Sequence, residues 1–285
     1  MHNYQSACKQ SNDPALHNAL SYRDFHVHTC LSPCGKDPGW IPEAIVTLAE
    51  ELNMETVVLA DHYYERRAGF TPPPFYSSVD ETGYESSMRA VESMKTSVEV
   101  LVSCEIDMIR PGLFTLSETF ARKLPAGLVS ASHYHLEGIE QPNDRSPEGL
   151  GRYMLERMQA AIEWPPAQIL AHPLTALQGS LGELGEVLDT IADENFKRVL
   201  SSAREKNVAV EIRASMFNEE IPHHDHIMRF YSMVREEGCK IAPASDAHSA
   251  TDFGSTSGII PWAEKLGFRA SDVIDSDWLE SHKST

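Results

Sequence analysis

Long apolar runs are missing from this chain: no stretch approaches the roughly 18 consecutive apolar residues that a membrane-spanning helix needs. Basic residues are scarce as well. Lys+Arg number 24 against 42 Asp+Glu, for a formal charge of −18, which repels polyanions and disfavours extended nucleic acid as a partner. A small anionic substrate stays open, because bound divalent cations can invert the sign of the field in one pocket. Cysteine is sparse and lacks pairing: Cys8, Cys30, Cys34, Cys104 and Cys239 are five in number with no CxxC spacing. That pattern excludes a disulfide framework and predicts reduced thiols. The opening MHNYQSACKQSNDPALHNAL has neither the basic nor the apolar segment of a secretory signal. The expectation is therefore a cytoplasmic protein with a loosely attached arm over residues 1–20 and no membrane partner.

What is present is an ordinary globular composition, 41% hydrophobic and 23% charged over 285 residues. That length accommodates one α/β barrel, a fold of about 250 residues, so residues 21–285 are expected to form a single domain. Seven short apolar, β-branched runs read as buried parallel strands: 23–27, 56–60, 98–103, 127–132, 168–171, 208–212 and 241–245. Amphipathic stretches with helical spacing separate them, at 42–52, 85–95, 147–164, 193–206 and 225–237, with a shorter one at 115–123. Sustained alternation of this kind implies a parallel sheet, here closed into an irregular seven-stranded barrel. The segment 63–82, stiffened by Pro72, Pro73 and Pro74, is too long for a simple connector and is expected to shape a site.

Histidine is abundant, 13 residues in all, and its placement carries the functional inference. Each of the seven runs ends in or just before a residue able to bind a metal: His26 and His28, Asp61 and His62, Glu105, His133 with His135 beyond, His172, Glu211, and Asp246 with His248. The C-terminal strand ends of a parallel barrel open onto one face, so residues remote in sequence converge there. The His-x-His pair places two imidazoles on one side of a strand. A lone histidine at a strand end is ordinarily a hydrogen-bonded rim residue, and it is the repetition that points to metal. Asp and Glu are also poor strand formers and costly to bury without cations or partners. Imidazoles and carboxylates without a Cys cluster suit Zn²⁺, Mn²⁺ or Fe²⁺. The ligands exceed what one ion uses, so two or three divalent ions are expected, with Glu105 bridging.

The ordered motifs DFHVHTCLSPCG, LADH, VSCEID, SASHYH, LAHP, VEIR and PASDAHS, between residues 23 and 250, resemble the PHP (polymerase and histidinol phosphatase) superfamily of metal-dependent phosphoesterases. The resemblance implies a distorted (β/α)7 barrel and assigns one ion to His26, His28, Glu105 and Asp246. It gives a second to Glu105, His133 and His172, and a third to His62, His248 and one group from the segment after the His-x-His. Many members carry His or a carboxylate at that last place, whereas the nearest candidate in this chain is Cys34. Asp61 either orients a ligand imidazole, handles a proton or caps the following turn. Glu211 is expected to fix a ligand imidazole from behind.

The expected reaction is hydrolysis of a small phosphate mono- or diester, histidinol phosphate or a nucleotide-like ester, by a metal-bridging hydroxide. Asp61 and His248 are the candidates for proton delivery to the leaving oxygen. Arginine suits phosphate because its planar fork donates two parallel hydrogen bonds. Arg66, Arg67, Arg110, Arg145 and Arg213 all follow strand ends and are the candidate substrate-binding residues. Two alternatives remain at this stage. A metal-dependent amidohydrolase would share the His-x-His and the late Asp, but no Lys ends any of these strands. A non-catalytic PHP scaffold would have lost ligands, and nearly all are retained. The run Ile221–His226, with His223, His224 and His226, reads as a helix start on the rim.

Overall fold

A computed structural model describes residues 13–67, 70–174, 183–217 and 219–283. Seven parallel strands run in the order β1 (Arg23–Val27), β2 (Thr56–His62), β3 (Glu99–Arg110), β5 (Gly127–Ser130), β6 (Ile169–Ala171), β7 (Ala209–Arg213) and β8 (Ile241–Ala244). The sheet curls until its edges meet. Just beyond β8 the chain joins β1 through a parallel bridge between Val27 and Ala247, the Asp246 N–H donating to the His26 carbonyl at 2.9 Å and the His28 N–H to the Ala247 carbonyl at 3.0 Å. The result is a nearly closed barrel, as the strand count predicts.

Helices α2 (Pro42–Glu51), α3 (Glu81–Glu92), α5 (Pro147–Glu163), α7 (Asp193–Glu205) and α8 (His224–Glu236) occupy the amphipathic stretches, with α6 (Leu184–Asp189) added before α7. Local chemistry sets their starts. Pro42 and Pro147 stand in first turns, where a missing N–H costs nothing, and the Ser146 hydroxyl accepts from the Gly149 N–H. Two segments close the chain, α9 (Ile260–Leu266) and α10 (Ser276–Ser281).

The barrel interior is narrow and small-sided. Val58, Ala60, Leu128, Ile169, Ala171, Ala209 and Ala242 form one buried cluster, closed by Ile274 and by Leu279 of α10. By the two-residue alternation of a strand, the positions that continue this inner face toward the C-terminal ends are His62 after Ala60 and Glu211 after Ala209. The inner face thus changes from aliphatic to ionisable over one step of the pleat.

Three features differ from the sequence expectation. Residues 1–12 lie outside the described residues, but Pro14–Ser21 is a helix, α1, rather than a loose arm. Leu16 and Leu20 recur at helical spacing and are 1% and 0% exposed; burying such side chains contributes roughly 1.5–3 kcal/mol each, enough to dock a short segment. The expected helix at 115–123 contracts to α4 (Glu118–Ala121). Its first part instead follows a hairpin, because β3 runs on for 12 residues and β4 (Leu113–Phe114) turns back on it antiparallel. Gly112, at φ +79°, makes the turn possible.

Candidate metal centre

The C-terminal strand ends converge on Glu105. Its Oε2 lies 3.1 Å from His26 Nε2, 3.3 Å from His28 Nε2 and 3.2 Å from His62 Nε2. Its Oε1 lies 2.7 Å from His172 Nε2 and 3.7 Å from His133 Nδ1. Five imidazoles from four strand ends therefore surround one carboxylate that is 1% exposed. Asp246 joins them, with Oδ1 at 3.2 Å from His28 Nε2 and 3.6 Å from His26 Nε2.

Behind these groups stand further carboxylates. Glu211 accepts from His26 Nδ1 at 2.8 Å. Asp107, two residues beyond Glu105, accepts from His62 Nδ1 and from His133 Nδ1, both at 2.7 Å. Sequence reasoning missed Asp107, although its spacing from Glu105 on one strand was the available signal. Ser132 Oγ contacts His172 Nδ1 at 2.7 Å. His248 donates from Nδ1 to the Asp246 carbonyl at 2.8 Å and stacks on His28 with ring centroids 4.5 Å apart.

Cys34 belongs to the same centre. Its thiol sits with His28 and His62 in a group whose ligand atoms all lie within 4.8 Å of one another, and it contacts Ser32 Oγ at 3.0 Å. Burial opposes a thiolate there, but His28, His248 and His62 outweigh it and bring the thiol down to about 3. The four described cysteines are free.

Buried carboxylates and imidazoles set one another's charge in this centre. Burial alone would lower the His26 imidazole, yet Glu211, Glu105 and Asp246 raise it to about 10. His62 is likewise raised well above its usual value, against burial, by Glu105 and Asp107. For His172 burial prevails over the pull of Glu105, and the ring is held below the ordinary imidazole value. Glu105 itself stays well below the carboxylate range, since His62, His133, His172 and His26 overcome its burial.

Two positions of positive φ, His172 and Asp246, lie in the same place. Asn53, His172, Asn207 and Asp246 are the described non-glycine residues with positive φ. Asparagine tolerates that region readily, whereas His172, at φ +24°, adopts it only under constraint.

The predicted arginines separate. Arg213 enters the centre, pairing with Asp246 through Nη1 and lying 3.4 Å from Glu211 Oε1 through Nε. Arg66 does not: its side chain is 74% exposed and held by Asp80 at 2.8 Å. Arg67 donates to the Phe114 carbonyl at 2.5 Å and stacks over Phe70. Arg110 is exposed at the hairpin end of β3, and Arg145 is exposed and bound to Gln141 at 2.6 Å. Arg66, Arg67 and Arg145 follow their strands on loops that lead them to other partners, whereas Arg110 is the last residue of β3 and stands exposed where the chain turns back.

Asp61 accepts from the Thr29 N–H at 2.5 Å, from Thr29 Oγ1 at 2.6 Å and from the Tyr63 hydroxyl at 3.0 Å, and lies 3.9 Å from His28 Nδ1. These contacts pin the turn after the His-x-His. In the proline-rich segment, Phe75 meets His62 edge-on at 5.3 Å. His226 pairs with Asp189 at 2.8 Å and His224 lies against Trp262, so this run sits at the start of α8, apart from the centre.

The donor set fits metal ions. His26 Nε2 and His28 Nε2 approach to 3.0 Å, two imidazole nitrogens that repel unless a proton or cation lies between them. His28 Nδ1 is buried with no hydrogen-bond partner. In four overlapping groups the potential ligand atoms of His, Cys and carboxylate side chains all lie within 4.8 Å of one another: His28, Cys34 and His62; His62, Glu105, Asp107 and His133; His26, His28 and Asp246; and His26, Glu105 and His172.

Fold and site together define an α/β barrel with a cluster of metal-ligating side chains at the C-terminal ends of its strands. The PHP domain family matches residues 24–215, more than half of the chain, and the protein belongs to that family. Its structure is similar to that of histidinol phosphate phosphatase from Lactococcus lactis subsp. lactis Il1403, solved in complex with zinc, L-histidinol and phosphate. The TM-score is 0.62 at 17% identity, covering 88% of this chain and 95% of that one. A putative histidinol phosphatase from Listeria monocytogenes is also similar, with a TM-score of 0.55 and 16% identity over 81% of this chain and 97% of that one. No curated protein matches the sequence.

Proposed function

We propose that this protein is a metal-dependent phosphoesterase acting on a small phosphate ester. The observation that carries the proposal is the single buried carboxylate, Glu105, shared by imidazoles from four strand ends. His26, His28, Glu105 and Asp246 would hold one ion, Glu105, His133 and His172 a second, and His62, Cys34 and His248 a third. Divalent zinc, manganese or iron suits these donors. Bound there, such ions supply Lewis-acid charge for phosphoryl oxygens and lower the pKa of water.

The chain's own residues account for the rest. Glu211 orients His26 from Nδ1, so that Nε2 faces the centre. Arg213 is the guanidinium at the centre, held by Glu211 and Asp246, and is assigned to the phosphoryl group. Asp61 is committed to three donors and positions the turn carrying Thr29. His248, whose side chain is 35% exposed, has only Nε2 left for chemistry because Nδ1 donates to the Asp246 carbonyl: it delivers the proton to the leaving oxygen where it is not a ligand of the third ion. The histidinol and phosphate of the lactococcal structure make histidinol phosphate the first substrate to test, with a nucleotide monophosphate and a diester beside it. No helix among the described residues is long and apolar enough to cross a membrane.

The test is direct. Purified protein should carry two to three equivalents of metal and release phosphate from at least one of p-nitrophenyl phosphate, histidinol phosphate and a nucleotide. Chelation should stop turnover and metal addition restore it. Metal-replete protein that leaves the whole panel intact would overturn the proposal.

A further inference from the structure

Asp107 has no part in the ligand sets proposed above, yet it is fully buried, at 0% exposure, in the middle of them. Each of its oxygens is committed to a different imidazole: Oδ1 to His133 Nδ1 and Oδ2 to His62 Nδ1, both at 2.7 Å. An ionised carboxylate only accepts hydrogen bonds. Both Nδ1 atoms must therefore carry a proton, so that when either ring is neutral its lone pair is on Nε2. For His62 that nitrogen faces the centre, 3.2 Å from Glu105 Oε2.

The carboxylate is itself rigidly held. The Asp107 N–H donates to Thr115 Oγ1 at 3.1 Å, and the Thr115 N–H returns to the Asp107 carbonyl at 2.9 Å. From α5 the fully buried Arg157 donates to the Met108 carbonyl and, at 2.7 Å, to the Ala131 carbonyl. One guanidinium thus ties the peptide after Asp107 to the strand end that carries His133. The extension of β3 into the hairpin with β4 is what brings Thr115 into reach.

We propose that Asp107 is a positioning residue: it fixes His62 and His133 in the Nδ1–H tautomer, commits both to ligation through Nε2, and so couples two ion positions through one carboxylate. The proposal rests on the metal-centre assignment above, and its test separates the two. Wild-type protein is titrated with zinc alone, and histidine tautomers are read by long-range ¹H–¹⁵N NMR beside a chelator-competition measurement of affinity. Zinc-loaded wild type should show His62 and His133 both protonated at Nδ1. Asp107→Asn presents one acceptor and one donor, so one of the two rings must invert. Zinc affinity should then fall about 10- to 100-fold, as for other residues that orient ligands, while the zinc count at saturation is unchanged.

Three outcomes overturn the proposal: unchanged tautomers and affinity in Asp107→Asn, loss of a zinc equivalent at saturation, which would make Asp107 a ligand, or wild-type His62 or His133 bound through Nδ1. The last needs no variant, so a misfolded Asp107→Asn leaves the test intact. Wild type that takes up no zinc would instead refute the metal centre itself.

Discussion

Glu105→Gln is the most informative single change. It preserves side-chain volume in a site that is 1% exposed and removes one charge whose two oxygens approach five imidazoles at 2.7 to 3.7 Å. Two unit charges 4 Å apart interact by about 4 kcal/mol at an effective dielectric of about 20. Every 1.4 kcal/mol or so is tenfold in a binding constant, so each ion that shares Glu105 should bind at least about 10³-fold more weakly. The amide also replaces one oxygen by a donor, which no cation accepts. Metal content after desalting, measured by mass spectrometry, should drop together with phosphate release. Glu118→Gln on exposed α4, where the carboxylate only pairs with Arg122 at 2.6 Å, is the control and should change neither. A Glu105→Gln variant with wild-type metal content and turnover would refute the bridging role.

Other consequences follow from single contacts. Asp61→Ala strands the Thr29 N–H, its hydroxyl and the Tyr63 hydroxyl, and should cost about 1–3 kcal/mol in urea denaturation; an unchanged midpoint would show that the turn does not depend on this clamp. Gly127→Ala sets a Cβ against the Pro166 carbonyl oxygen and should destabilise the start of β5 by about 1–3 kcal/mol, whereas a neutral result would mean that residues 165–167 yield freely. In metal-free protein, His26 is raised from 6.5 to about 10, so its ionised form stabilises fully below pH 6.5 and that stability is lost as pH rises through about 10. Metal-free thermal stability should decline across that window, and zinc uptake at pH 7 should release protons. Calorimetry in buffers of different ionisation enthalpy reads the proton count, and a count of zero at pH 7 would contradict the raised value.

Local pattern was enough to find the strands and most helices, because buried β-branched runs and amphipathic spacing are properties of neighbours in sequence. It was enough, too, to single out His26, His62, Glu105, His133, His172 and Asp246, since each lies at or near the end of a periodic run. Asp107 escaped because its significance lies in two partners, His62 and His133, that are 45 and 26 residues away. The hairpin to β4 escaped for a related reason: a two-residue strand has no period of its own and exists only by pairing with the overrun of β3.

The sequence by itself determined the barrel and the supply of imidazoles and carboxylates at its open end. Only the tertiary structure decided which arginine belongs there. Arg66, Arg67, Arg110, Arg145 and Arg213 all follow strand ends. Among them Arg213 completes β7 facing Glu211 and Asp246; Arg110 also ends a strand, β3, but stands exposed where it turns back into β4, while Arg66, Arg67 and Arg145 lie on loops that lead their long side chains to other partners or to solvent. A strand fixes direction every second residue, whereas a loop fixes it only through the contacts it finally makes.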